Sequence, residues 1–172
     1  MGEPKWLTER ELRVWEDFLA VSAKLDRRLE QQLKDEAGMS HAQYEVLVRL
    51  GRAPGGELRM TELADAALTS KSGLTYQVTQ LEKAGLVRRR SCETDVRGVI
   101  ASLTDEGREK LREAAPAHVT LVRELFIDGL PATQFAGLAA ALSILSARLR
   151  HEADAGPAAA SGSGQMADQL ES

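Results

Sequence analysis

One segment constrains the fold more than any other. Over residues 61–103 two short helical patterns are separated by a tight polar break and followed directly by two extended runs. Thr61 reads as the cap of a first helix over 62–67, with Leu63 and Ala67 on its apolar side. Thr69-Ser70 breaks that helix and caps a second, which runs to about Ala84 with Leu74, Val78 and Leu81 on one side. Gly85 suits the left-handed residue that ends it. Residues 86–91 and 99–103 read as strands. The polar stretch 92–98 between them is expected to be a loop too long for a tight turn. Two short helices joined by a turn form a helix-turn-helix unit, and the hairpin adds a wing.

The flanks are helical. Thr8-Glu9-Arg10-Glu11 is a capping box, followed by Trp15, Phe18, Leu19, Leu25, Leu29 and Leu33 at helical spacing, and Gly38 stops the helix. Ser40-His41-Ala42-Gln43 is a second capping box, opening a helix with Tyr44, Val46, Leu47 and Leu50 that ends in the breaker cluster 51–56. A short extended piece at 58–60 precedes Thr61. Thr104-Asp105-Glu106 starts a long helix to about Phe126, in which Pro116 is expected to produce a kink. Pro131 suits the first position of a last helix, whose Phe135, Leu138, Leu142, Leu145 and Leu149 follow the 3-4 spacing of a coiled-coil seam. From Ala153 onward, 13 of 20 residues are Ala, Gly, Ser or Pro, which reads as a disordered tail.

Composition narrows the function. Among 172 residues there is one cysteine, Cys92, so neither an intrachain disulfide nor a thiolate cluster can form. The three histidines, His41, His118 and His151, have no metal-ligand spacing, and no phosphate-binding glycine loop or catalytic constellation is visible, so neither enzyme nor cofactor is expected. The longest nearly apolar run, 135–145, is short for a bilayer, which needs about 20 residues. The N-terminus has no apolar signal region, and Trp6 stands where a myristoylation motif wants Ser or Thr. A cytoplasmic protein is expected, with no membrane partner. The net charge of −4 argues weakly against a nucleic-acid partner only until it is divided. Residues 58–103 carry 7 Lys+Arg and 5 Asp+Glu, so the acidic excess lies elsewhere.

Three motifs at these separations are specific in combination: Gly85-Leu86-Val87 with the preceding Leu81-Glu82-Lys83-Ala84, then Asp95-Val96-Arg97-Gly98, then Leu103-Thr104-Asp105-Glu106-Gly107. In these the chain resembles the MarR family of bacterial transcriptional regulators, over about residues 10–150. The resemblance implies a mainly α fold with a small β-wing: a winged helix-turn-helix flanked by N- and C-terminal dimerisation helices. It also implies a homodimer with interlocked terminal helices, and double-stranded DNA with pseudo-palindromic half-sites. The expected organisation is an N-terminal dimerisation helix (1–36), the DNA-binding region (37–103), C-terminal dimerisation helices (104–152) and the tail (153–172). Repression of a promoter is the family default.

The residues themselves support a DNA-binding reading. With Leu74, Val78 and Leu81 facing inward, Ser70, Lys71, Ser72, Thr75, Tyr76 and Thr79 fall on the opposite face or at the helix start. The start of a recognition helix is the part that reaches base edges in the major groove. Hydroxyls suit several bases, and a threonine methyl packs on a thymine methyl. Arg97 matches the family's minor-groove arginine, and Asp95 can hold its guanidinium. A surface turn ion pair is the plain alternative. Of three consecutive arginines, strand alternation turns Arg89 away from Arg88 and Arg90. Arg89 matches a family arginine that can be structural; Arg88 and Arg90 are the candidate phosphate contacts.

Other residues carry weaker readings. Leu12, Leu19, Phe135, Leu138, Leu142, Leu145 and Leu149 are candidates for the dimer interface, with intrachain packing as the alternative. The family's small phenolic or lipophilic effectors bind between the dimerisation and winged portions; Trp15 and His118 are the candidates here, against a plain core role. Cys92 lies next to the arginines and could be a redox switch, but oxidant sensors of the family use a cysteine in the first helix, where none occurs. Two other readings stay open: a winged helix used for protein–protein assembly, and an ArsR-like sensor without a metal site.

Overall fold

A computed structural model describes residues 4–66, 70–92 and 95–154; of residues 66, 95–97 and 150–154 it describes the backbone only. The chain divides into two compact units, Met1–Leu125 and Phe126–Ser172.

In the first unit, helix α1 (Glu9–Ala37) starts at the expected capping box: Thr8 accepts from the Glu11 N–H, and Glu11 reaches back to the Thr8 N–H at 2.7 Å. It ends at Gly38, whose φ of 64° is open to a residue without Cβ. Helix α2 (His41–Arg52) has the second capping box, Ser40 with Gln43. A 3-10 turn over Pro54–Gly56 leads into strand β1 (Glu57–Arg59).

Helix α3 (Met60–Ala66) begins two residues earlier than the sequence suggests, so Thr61 is inside the helix and not its cap. The Glu62 carboxylate accepts from the Arg59 N–H at 2.9 Å and so satisfies a backbone donor just before the helix. Helix α4 (Lys71–Lys83) is capped by Ser70 as expected; Thr69 lies outside the described residues.

Strands β2 (Val87–Cys92) and β3 (Asp95–Leu103) form the wing, and β1 pairs on the other side of β3, giving an antiparallel sheet of order β1-β3-β2. The expected long loop over 92–98 is corrected. Cys92 belongs to β2 and pairs with Asp95, while Ser91 pairs with Val99. The extra residues are absorbed by an irregularity in the ladder, which polar side chains in an exposed hairpin do not reveal in a sequence. Glu93 and Thr94 lie outside the described residues.

The core is continuous across these elements. Leu33 of α1, Leu47 and Leu50 of α2, Leu63 of α3, Leu74 and Val78 of α4 and Ala101 of β3 are all essentially inaccessible. Helix α5 (Asp105–Val122) packs on α1 and α2, contributing buried Ala114 and His118. Pro116 lies inside it as expected. The helix is followed by a π turn over Arg123–Ile127, which the sequence does not announce.

The second unit is dominated by helix α6 (Ala132–Asp154). Pro131 stands just before its first residue, one position earlier than expected, with its carbonyl accepting from the Phe135 N–H at 2.9 Å. Phe126 and Phe135 meet edge to face. The helix includes Ala153 and Asp154, the first two residues of the expected tail; the remainder lies outside the described residues. Its stretch Ala132–Leu149 is, by length and composition alone, long and apolar enough to cross a membrane. This corrects the length argument from 135–145, because the flanking Ala, Thr, Gln and Ser extend the run with a single charge, Arg148.

Candidate nucleic-acid interface

The orientation of α4 follows from three buried side chains. Leu74, Val78 and Leu81 are each at most 2% exposed, so the helix cannot rotate without stripping its core face. Ser70, Lys71, Ser72, Thr75 and Tyr76 are left exposed, and Thr79 is half-buried at the edge of the same face. The Ser70 hydroxyl accepts from the Gly73 N–H at 3.1 Å and lies 3.1 Å from the Ser72 hydroxyl. Thr75 donates its hydroxyl proton to the Lys71 carbonyl at 2.9 Å, and Thr79 donates to the Thr75 carbonyl at 2.8 Å. With the protons directed back into the helix, both threonines offer oxygen lone pairs and methyl groups outward.

The end of α4 is fastened to the wing and to α5. Gly85, at φ 76°, turns the chain, and the Leu86 N–H returns to the Leu81 carbonyl at 2.9 Å. Thr104 makes three bonds there. Its hydroxyl donates to the Gly85 carbonyl at 2.8 Å and accepts from the Gly107 N–H at 2.9 Å, and its N–H reaches the Leu86 carbonyl at 3.1 Å. Gly-Leu-Val and Leu-Thr-x-x-Gly are therefore two halves of one joint between the recognition helix and the helix that follows the wing.

The arginine row of β2 separates as alternation requires. Arg89 turns toward α4, where Glu82 takes its Nε at 2.9 Å and its Nη2 at 2.5 Å on one oxygen, and its backbone N–H at 3.1 Å on the other. This fork holds the Glu82 carboxyl below its usual range, chiefly through the side-chain bonds from Arg89. Arg88 and Arg90 are exposed on the other side of the strand. Arg90 reaches across β3 to Glu57, with Nη2 at 3.0 Å and 3.1 Å from its two oxygens. The backbones of Asp95 and Arg97 lie in β3; their side chains are outside the described residues. Cys92 is buried, which removes the access that the redox-switch reading needs.

A cavity of about 510 Å³ opens between α2, β1 and α5, lined among others by Tyr44, Val48, Arg49, Arg52, Leu58 and His118. His118 packs on the Tyr44 ring, with centroids 4.4 Å apart. Trp15 does not line this cavity; it is 52% exposed and stacks with Phe18 on α1. Among the described residues no group of three His, Cys, Asp or Glu side chains is placed to hold a metal ion.

The candidate interface residues stand out by exposure. On α1, Leu12 and Leu19 are 44% and 46% exposed, beside exposed Trp15 and Phe18. On α6, Leu142, Leu145 and Leu149 are exposed and Phe135 and Leu138 half-buried. Glu57 and Arg49 carry no signal in the sequence, and Glu82 stands out there only as part of a motif, with no partner. Their roles depend on pairings across helix, strand and sheet that no local spacing encodes.

Comparison with known proteins agrees with this geometry. The profile described as "MarR family" matches residues 37–98. The crystal structure of Sco3205, a MarR family transcriptional regulator from Streptomyces coelicolor solved in complex with DNA, superposes with a TM-score of 0.81 at 43% identity, covering 85% of this chain and 91% of that one. AbsC, another MarR family regulator from Streptomyces coelicolor, has a TM-score of 0.81 at 41% identity and covers 86% of this chain and 99% of that one. The transcriptional repressor YetL of Bacillus subtilis (strain 168) is 28% identical over 120 residues, 68% of this chain and 71% of that protein. These relatives are transcriptional regulators and not enzymes. By fold, joint and wing, this chain belongs to the MarR family of winged-helix, DNA-binding transcriptional regulators.

Proposed function

We propose that the chain acts as a homodimeric repressor of pseudo-palindromic promoter sites in the cytoplasm, released by a small phenolic or lipophilic effector. The observation that carries this reading is the outward face of α4. A row of hydroxyls and Lys71 stands on an immobile Leu74-Val78-Leu81 base beside exposed Arg88.

In this reading the start of α4 enters the major groove. Thr75 and Thr79, whose protons are already donated to the helix, accept from base amino groups and pack their methyls on thymine. Lys71 and Arg88 bind phosphate, and Arg97, steadied by Asp95, enters the minor groove. Arg90 contributes only once Glu57 gives it up. Arg89 belongs to the scaffold, because Glu82 already occupies its fork.

Exposed apolar side chains on α1 (Leu12, Leu19) and α6 (Leu142, Leu145, Leu149) support a second copy as partner. A two-fold pair presents the mildly basic winged unit twice, one DNA turn apart, about 34–36 Å. The acidic remainder of the chain then faces away, and binding depends on correctly spaced half-sites more than on charge. The cavity at His118 is the effector site, and occupancy shifts the population toward a spacing that no longer fits DNA.

Selection of duplexes from a random library by the purified protein tests this. The expected result is an inverted repeat with half-site centres about 10 bp apart. Enrichment of a single unrepeated site, or of none, would overturn it.

A further inference from the structure

The outer face of the three-stranded sheet carries a charge arrangement that the recognition helix does not explain. Directly paired residues of neighbouring strands share a face. Glu57, Ser102 and Arg88 form one such row across β1, β3 and β2, and Arg59, Ile100 and Arg90 form the next. These six residues lie on the side of the sheet opposite buried Val87, Ala101 and Leu103. Among the six there are three guanidinium groups and one carboxylate, Glu57. Glu57 stands in the row of Arg88, yet its carboxylate takes Arg90 on the diagonal.

The two ion pairs of β2 differ in kind. At Arg89 two side-chain nitrogens and the backbone N–H all go to Glu82. At Arg90 a single nitrogen, Nη2, serves both oxygens of Glu57, and the two side chains are 48% and 40% exposed. Water competes for such a pair, so it adds little to the stability of the fold. Its two ends are also held differently. Glu57 opens β1 directly after the Pro54–Gly56 turn, where Arg108 of α5 donates to the Gly55 carbonyl at 3.4 Å, and the next residue, Leu58, packs on the core. Arg90 reaches it on a long side chain from an exposed position of β2. An arginine held in this way is not fully available to a phosphate. What it gains on DNA is offset by the pair it gives up, and the freed Glu57 then meets the phosphate row as a like charge.

We propose that Glu57 sets the affinity of the DNA interface: it cancels the phosphate contact of Arg90 and so holds down the sequence-independent part of binding. The proposal rests on the reading of Arg88 and Arg90 as the phosphate side of the wing. Arg88 supplies the contact that remains. Because phosphate contacts carry no base information, Glu57 acts equally on a selected duplex and on an unrelated one.

Fluorescence anisotropy across a salt series, with a selected duplex and a duplex of scrambled sequence, tests this on wild type, Glu57→Gln, Arg90→Ala and the double variant. Arg90→Ala alone should bind within about twofold of wild type, with an unchanged salt slope. Glu57→Gln should bind both duplexes more tightly, by about two- to fivefold per protomer bound, and steepen the slope of log affinity against log salt by about 1 per protomer. The double variant should return to wild-type affinity and slope. Both side chains are exposed, so every variant should keep the wild-type unfolding midpoint. A gain that survives Arg90→Ala overturns the proposal, because Glu57 then acts only as a general negative charge. So does Glu57→Gln with wild-type affinity and slope. So does an Arg90→Ala variant that loses a phosphate contact while Glu57 is present. Failure of wild type and all variants to bind either duplex overturns the DNA reading of the wing itself, and the proposal with it.

Discussion

The α-carbon of Gly107 lies against the carbonyl of Leu86: a Cβ built on it would stand 2.1 Å from that oxygen. No real Cβ comes so near, and the obstacle is backbone, already held by the Thr104 N–H. The glycine of the Leu-Thr-x-x-Gly motif is thus the contact point between α5 and the turn that ends the recognition helix. Gly107→Ala should force the two apart and cost about 3 kcal/mol. Urea unfolding followed by circular dichroism checks it; unchanged stability would contradict the close approach.

Glu82 and Arg89 join α4 to the wing. The Glu82 carboxyl is held below its ordinary value of 4.5 by Arg89. Its contribution is therefore fully present above that value and is lost as the pH falls through the lowered one. Glu82→Gln should destabilise the protein at neutral pH by about 1 kcal/mol, a modest figure because the pair is partly exposed. Below pH 4.5 the variant and the wild type should converge. Unfolding curves at neutral and acid pH decide it, and a constant gap would show that the pair does not titrate.

His118 works in the opposite sense. Burial lowers it from an ordinary value near 6.5, so the unfolded chain binds the proton more readily than the folded one. Stability should fall as the pH drops from about 6.5 toward the lowered value, and His118→Gln should flatten that decline. Thermal melts in the absence of any ligand measure it. Equal slopes in the two proteins would mean that His118 is not held neutral.

Arg97 belongs to the wing and, in this account, to the minor groove. Arg97→Ala should weaken binding to a selected duplex by about 1–3 kcal/mol and leave the unfolding midpoint unchanged. A mobility-shift titration measures the first and urea denaturation the second. Unchanged affinity would reduce Arg97 to a surface turn residue.

Local chemistry made the fold legible. Thr8 with Glu11, Ser40 with Gln43, Ser70, and the glycines at 38 and 85 each mark a helix end through bonds that lie within four residues. The inward row Leu74-Val78-Leu81 oriented the recognition helix by periodicity alone. The misplaced start of α3 has a physical reason. Thr61 looks like a cap, but Glu62 bonds the Arg59 N–H from inside the helix, and threonine is tolerated at either position. The wing strands run further than local composition indicates, because the ladder irregularity depends on pairing partners across the hairpin. The same limit hid Glu57 as the partner of Arg90 and Gln32 as the partner of His118. Those pairs are 33 and 86 residues apart in sequence, and only packing brings them together. Trp15 and His118, grouped as effector candidates, are separated for the converse reason: a helical aromatic can serve a surface as readily as a cavity.

The most direct test of the central claim is the affinity of wild type and of the Lys71→Ala/Arg88→Ala variant for one selected duplex, measured by fluorescence anisotropy across a salt series. Each residue is assigned one phosphate contact per protomer. The account predicts weaker binding at every salt concentration, with the slope of log affinity against log salt reduced by about 2 for each protomer bound. A variant that binds the duplex with wild-type affinity and an unchanged salt slope would contradict the assignment of this face of α4 and β2 to DNA.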